Sequence, residues 1–278
     1  MHYQHSYHAG NFGDVFKHVL LCGLLQALSR KDAPWFYLET HAGAGCYDLS
    51  GAAAARTAEF QDGIARLWDL DETPALIAAY LRIVRVENPD GELRRYPGSP
   101  LVARALARPQ DRLALCEKVP AVAAELEQRI GRRAPVAIHV RDGYEAHALL
   151  PPEEKRGLIL VDPPFERRDE FDAVDEFLKQ ATARFAHGIY AAWYPLKNRH
   201  AADRFLRRQA REMKRPALAL GFDTDAHAEG QMHGCGMLVL NPPFGFEAQA
   251  REALAFLARR LAQGPRPQWS VAALAADN

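Results

Sequence analysis

The chain has 278 residues, 48% hydrophobic and 25% charged, with 35 basic (Lys+Arg) and 35 acidic (Asp+Glu) side chains. This excludes a disordered polypeptide and suits one large domain or two small ones at the usual ~150 residues each. Zero formal charge excludes a bulk polybasic protein, so any nucleic-acid contact must come from a local patch. In chain order, the opening MHYQHSYHAGN lacks the basic and apolar regions of a signal peptide. Residues 11–28 then read as an amphipathic helix with a histidine-bearing lead-in, and no run reaches the ~18 consecutive apolar residues of a membrane helix. A first strand at 35–39 (WFYLE) precedes an overlong stretch, 51–97, with helical patterns at 56–70 and 74–86 and a turn-rich ENPDGE. One crossover helix needs no such length, so 51–97 is read as a helical insertion. Strands follow at 113–117 (LALCE), 136–140 (VAIHV), 158–161 (LILV), 189–193 (IYAAW), 218–222 (LALGF) and 236–240 (GMLVL), with helices at 122–130, 171–185 and 201–213. Only the short polar stretch 223–235 separates the last two strands, which predicts a hairpin-like connection and an antiparallel final strand. The tail after Gly264 is expected to pack loosely. Seven strands with interleaved helices indicate a Rossmann-like, doubly wound α/β domain spanning 1–278.

The sharpest motif is Asp162-Pro163-Pro164-Phe165, directly after GLILV. Adenine N6 is a poor nucleophile because its lone pair is delocalised into the ring. The Asp162 carboxylate and the Pro163 carbonyl can each accept one N–H, pinning the amino group and favouring a pyramidal nitrogen. The prolines have fixed φ and no competing N–H, and Phe165 can stack on an extruded base. The competing reading is a proline-rich turn ending a buried strand. A second match, Asn241-Pro242-Pro243-Phe244, follows the final strand. Ligands bind beyond the carboxyl ends of parallel strands, so an antiparallel strand delivers Asn241 to the wrong edge. It is read as a structural turn.

Three other strand ends carry matching chemistry. The first runs into Glu39-Thr40-His41-Ala42-Gly43-Ala44-Gly45, whose glycines let backbone approach a cofactor, with Gly43 the candidate contact. Glu117 ends the second and can bind two ribose hydroxyls; Asp142-Gly143 follows the third and can accept from an adenine amino group. Each alone is equally an ordinary turn or surface acid. Together the four ends have the layout of an S-adenosylmethionine site. His2, His5, His8 and His18 come without thiols or clustered carboxylates, so no metal is expected. Cys22, Cys46, Cys116 and Cys235 lie far apart with no CxxC and read as reduced thiols of a cytoplasmic protein. Residues 197–215 carry eight basic side chains against Asp203 and Glu212, either a solvated helix face or a phosphate-contacting one.

Tyr3, the block His5-Ser6-Tyr7-His8-Ala9-Gly10-Asn11, then Asp14-Val15, Lys17-His18, Thr40 to Gly45, Tyr96-Pro97-Gly98-Ser99-Pro100 and Asp162-Pro163-Pro164 resemble the RlmJ family over nearly the whole chain. These are 23S rRNA adenine-N6 methyltransferases whose target is adenine 2030. The resemblance implies a class I S-adenosylmethionine-dependent methyltransferase fold and that donor as cofactor. It implies cofactor contacts at His18, His41, Ser99, Glu117, Asp142, Gly143 and Asp162, with Lys17 close by. Asp162, Pro163 and Phe165 would form the catalytic turn, and Tyr3 with Phe165 would meet the RNA. Phe165 departs from the tyrosine common in the family, and stacking needs only the ring. The expected protein is a metal-free cytoplasmic monomer acting on 23S rRNA, free or in a pre-ribosomal particle. A DNA adenine-N6 methyltransferase, or a non-catalytic RNA-binding protein on the same scaffold, are the alternatives.

Overall fold

The computed structural model describes residues 5–130, 135–197, 199–226 and 232–274. Helix α1 (Phe12–Ser29) opens the fold and leads to β1 (Phe36–Glu39). Next come β2 (Cys46–Asp48), α2 (Ala52–Thr57), a 3-10 turn Glu59–Asp62, α3 (Ala65–Trp68), α4 (Ala75–Val86), β3 (Arg95–Pro97) and α5 (Ser99–Leu106). Then come β4 (Arg112–Glu117), α6 (Pro120–Ile130), β5 (Val136–Val140), a second 3-10 turn Gly143–Leu149, and β6 (Gly157–Val161). The chain continues through α7 (Glu170–Arg184), β7 (Ile189–Pro195), α8 (Arg199–Met213), β8 (Ala217–Asp223), β9 (Gly234–Leu240), α9 (Phe246–Arg260) and β10 (Gln268–Ala273).

Eight strands form one sheet in the order β10-β8-β9-β7-β6-β1-β4-β5, while β2 and β3 pair separately with Tyr47 opposite Tyr96. β6, β1, β4, β5 and β7 run parallel; β9 is antiparallel to both β7 and β8. All seven expected strands are therefore present, with the expected reversal. Side chains alternate across the sheet as a period of two demands. Tyr37, Leu113, Leu115, Leu158 and Leu160 face α1, α4, α5 and α9. Phe36, Leu38, Ile159, Val161 and Tyr190 face α7, α8 and the second 3-10 turn.

Helix α1 is the keystone of the first face. Asn11 caps it, its side chain accepting from the Asp14 N–H at 2.9 Å. Among the described residues α1 alone has the length and apolar composition of a membrane span, yet it lies buried against α4, α5 and α9. The sequence pattern overlooked that possibility because Asp14 and Lys17 interrupt the apolar run.

Two expectations need correction. The helix anticipated at 56–70 is broken: Ala58 turns left-handed at φ 52°, and Gly63 passes Gly10 so closely that a Cβ there would lie 2.0 Å from the Gly10 carbonyl. The Ile64 N–H donates to that carbonyl at 2.9 Å, so a tertiary contact overrides helical propensity. The tail does not pack loosely. Its residues 268–273 form β10, the edge strand beside β8, and only Val271 of the six is buried. One inward side chain is too little alternation to see in the sequence.

Candidate active site

Parallel β6, β1, β4 and β5 end side by side, and their carboxyl ends gather most of the anticipated residues. Gly43 and Gly45 adopt φ of 63° and 80°, and a Cβ on Gly43 would lie 2.5 Å from the Tyr47 hydroxyl. Only glycine fits that loop cheaply. The Gly43 N–H donates to Glu117 Oε2 at 3.0 Å, and the Val119 N–H donates to Oε1 at 2.8 Å. Glu117 is thus fixed under the glycine loop with acceptor capacity remaining on both oxygens. The Asp142 carboxylate accepts from the Tyr144 N–H at 3.1 Å and from Lys118 Nζ at 2.7 Å. Burial alone would raise its pKa; Lys118 and the Tyr144 N–H outweigh this, and the net shift is downward. Gly143 is pressed onto β1, where a Cβ would meet the Thr40 carbonyl at 2.1 Å. His41 packs edge-on against Tyr144, its ring centroid 5.2 Å away. Burial pulls the His41 pKa down to about 4, so the imidazole is neutral at pH 7.

Asp162 leaves the end of β6 and meets Lys17, whose Nζ donates to Asp162 Oδ2 at 2.5 Å and lies 3.0 Å from Asp14 Oδ1. Asp14 sits one helical turn before Lys17, and its other oxygen accepts from the Gly10 N–H at 2.9 Å. Asp14 was not anticipated as a site residue. An acid and a lysine three apart in an otherwise buried helix were the available signal. Also missed was Glu39, fully buried at the end of β1. The Tyr37 hydroxyl donates to it at 2.9 Å and the Ser99 hydroxyl to its other oxygen. Burial pushes the Glu39 carboxyl up to about 8, against the opposing effect of those two hydrogen bonds. Ser99 is therefore at the site through Glu39. His18 lies deeper, stacked on Tyr96 with its Nδ1 2.8 Å from the Tyr96 hydroxyl.

Phe165 adopts φ 51°, an unfavourable conformation for a bulky residue, and packs edge-on against Phe171 and Trp193 at 5.0 and 6.1 Å. Trp193 and Met232 both border Gly13 of α1. Pro163 is buried and Pro164 exposed. Tyr3 lies outside the described residues. His8 shares Glu59 with Asn11, at 2.9 Å each, and the Glu59 carboxylate raises the His8 pKa. Among the described residues no group of three or more His, Cys, Asp or Glu could hold a metal ion. All four cysteines are free thiols.

The second proline turn sits at the opposite edge. Asn241 Nδ2 donates to the Ala186 and Gly188 carbonyls at 3.0 and 2.7 Å, and its N–H to Pro216 at 2.8 Å. The basic segment runs from the carboxyl edge, where Arg199 pairs with Asp223 at 2.5 Å, to the far edge, where Arg215 donates to the Ala186 carbonyl at 3.1 Å.

A mainly parallel sheet with β9 and the edge strand β10 reversed, a glycine loop after β1 and acids after β4, β5 and β6 define a class I S-adenosylmethionine-dependent methyltransferase. The residues present fit that cofactor. Glu117 and Asp142 offer acceptors to ribose hydroxyls and an adenine amino group, and Asp14 and Asp162 around one lysine suit a sulfonium cation. The family model "Ribosomal RNA large subunit methyltransferase D, RlmJ" matches residues 32–274. The chain is 40% identical to "Ribosomal RNA large subunit methyltransferase J" of Escherichia coli over 264 residues, 93% of each protein. It is 38% identical to the Haemophilus influenzae protein of the same name over 275 residues, 97% of each. A Legionella pneumophila protein of known crystal structure superimposes with a TM-score of 0.89 at 36% identity, over 95% of this chain and 98% of that one. The chain belongs to the RlmJ family of ribosomal RNA large-subunit methyltransferases.

Proposed function

We propose that this protein transfers a methyl group from S-adenosylmethionine to N6 of an adenine in 23S rRNA, acting in the cytoplasm as a monomer. The observation that carries the reading is the Asp162-Pro163-Pro164-Phe165 turn at the carboxyl edge, with Asp162 held by Lys17 beside the glycine loop. S-adenosylmethionine, when bound, supplies a methyl group already activated by its sulfonium. The protein has to align the nucleophile and exclude water. Asp162 and the Pro163 carbonyl accept the two N–H bonds of the target amine and direct its lone pair at the methyl group. Phe165, braced by Phe171 and Trp193, stacks on the base. As the N–C bond forms and the methyl–sulfur bond breaks, with S-adenosylhomocysteine the neutral leaving group, N6 becomes cationic and its proton strongly acidic, so Asp162 or solvent can take it without a high-pKa base. Glu117 holds the donor's ribose, and Asp142 with Gly143 its adenine; Gly43, His41, His18, Ser99 and Lys17 complete that side of the site.

The test is mass spectrometry of 23S rRNA from cells with and without the protein, followed by methyl transfer in vitro to matched RNA and DNA oligonucleotides. The expected result is loss of one N6-methyladenine from 23S rRNA and transfer to RNA. Preferential transfer to DNA would replace this reading by a DNA adenine methyltransferase. Cofactor-independent RNA binding without any transfer would replace it by a binding protein.

A further inference from the structure

The basic side chains of α8 divide into two sets. Arg199 and Arg208 are tied down, to Asp223 and to Asp172 with Asp175. Arg204, Arg207 and Arg211 are exposed, and none has a hydrogen-bond or ion-pair partner among the described residues. Their spacing of three and four places them on one face, with His200 a turn earlier. Ala202, Phe205 and Gln209, two positions round from these, are the buried residues of the helix, so the arginine line points directly away from the protein. The stripe from His200 to Arg211 is about 16 Å long at 1.5 Å per residue.

This arrangement opposes the stability of the helix. Like charges three and four apart repel, and the first turn holds Arg199 and no acid, against the helix dipole. Of the acids around the helix, Asp223 pairs with Arg199, Asp172 and Asp175 with Arg208, and Glu212 with Lys179, while exposed Asp203 lies four residues before Arg207. The chain as a whole carries equal numbers of acids and bases, so the asymmetry is local. Its position is specific too. β7 delivers the start of α8 to the edge where Asp162 sits, and Lys197, just before the helix, is close enough to His8 for its charge to oppose His8 protonation. The cationic line thus begins beside the segment bordering the site and leads away from it.

We propose that the outer face of α8, Arg204, Arg207 and Arg211 with Lys197 as its lead-in, grips the phosphate backbone of rRNA flanking the methylated adenine. The inference rests on the reading of RNA as substrate and adds where that RNA lies. Contacts of this kind position a polyanion without reading its sequence, and each neutralised phosphate releases counterions.

The test measures binding of protein-free 23S rRNA against salt concentration, for the parent, for R204Q/R207Q/R211Q and for R208Q. Three lost phosphate contacts should lower the slope of log affinity against log salt by about 2, and weaken binding at ~0.1 M salt by about tenfold or more. S-adenosylmethionine affinity, read by calorimetry, should not change, showing that the site is folded. R208Q should keep the parent's slope, because Arg208 serves Asp172 and Asp175. A triple variant with the parent's affinity and slope overturns the proposal and leaves the methyl-transfer reading standing. A parent that binds the RNA through this face but never methylates it sinks that reading and spares the proposal. A parent that does not bind the RNA sinks both.

Discussion

Two turns of nearly the same composition, Asp162-Pro-Pro-Phe165 and Asn241-Pro-Pro-Phe244, end two strands of one sheet and do opposite things. At the carboxyl edge, Asp162 meets a lysine from another element and Phe165 is propped by two aromatic rings. At the other edge, Asn241 spends its amide donors on two backbone carbonyls and Phe244 is 95% exposed. Even the left-handed residue differs: φ is 51° at Phe165 but 53° at Asn241. Asparagine tolerates that region and phenylalanine does not, so the first turn stores strain and the second does not. Strand direction, rather than the motif, sets which edge of the sheet each turn occupies.

The hardest test of that contrast is to exchange the two side chains. Asp162→Asn keeps the shape but presents a donor to the target amine. It should cost at least ~2–3 kcal/mol of transition-state stabilisation, about a hundredfold in turnover. Adding Asn241→Asp to the same chain restores an acidic proline turn at the wrong edge and should recover nothing. Near-normal turnover of the single variant, or rescue by the second change, would break the comparison. Next in size, Glu117→Ala and Asp142→Ala should each weaken S-adenosylmethionine binding by about ten- to hundredfold, since a hydrogen bond to a charged group is worth ~1.5–3 kcal/mol. Unchanged affinity by calorimetry in both would remove the cofactor from these strand ends. Phe165→Ala should raise the KM for RNA by about tenfold through lost base stacking, while Phe244→Ala leaves KM and turnover alone.

The sequence displayed the strands clearly because each buried strand is a dense apolar run, and strand order then placed Glu117, Asp142 and Asp162 together. It could not display Glu39 as more than the first residue of a glycine loop. Its burial depends on Tyr37 and on Ser99, which is 60 residues away in sequence. Lys17 and His18 entered only through the family resemblance; the one local sign for Lys17 was its spacing of three from Asp14 on an apolar helix, and it does not say which acid of another strand the lysine meets. The break at Ala58 and Gly63 was hidden for the same reason: its cause, Gly10, lies on another segment. Contacts between distant segments were the part composition and periodicity could not carry.

Glu39 separates the two edges by pH. Its folded pKa, about 8, lies above the ordinary carboxyl value near 4.5, so its contribution to stability is fully present below about 4.5 and is lost as pH rises to about 8. Glu39→Gln keeps the hydrogen-bonding shape and removes the titration. It should flatten the melting temperature across that window, raising it by a few degrees at pH 8 and leaving it unchanged near pH 4.5. An identical pH profile in parent and variant would show that the Glu39 carboxyl does not carry a raised pKa.

The smallest effect on methyl transfer belongs to Asn241, which should show none. Its side chain closes the far edge by donating to the Ala186 and Gly188 carbonyls, which precede β7. Asn241→Gly keeps the left-handed backbone at no steric cost and deletes both donors, so it should lose about 1–3 kcal/mol of stability. Asn241→Ala deletes the same bonds and adds the left-handed penalty of a β-carbon, about 1–2 kcal/mol more. Denaturant melts of the two variants therefore divide the cap into its hydrogen bonds and its backbone. Turnover measured well below the unfolding transition should match the parent in both. If instead either variant lost turnover while still folded, the opposite edge would have to communicate with Asp162, and strand direction would no longer suffice to tell the two turns apart.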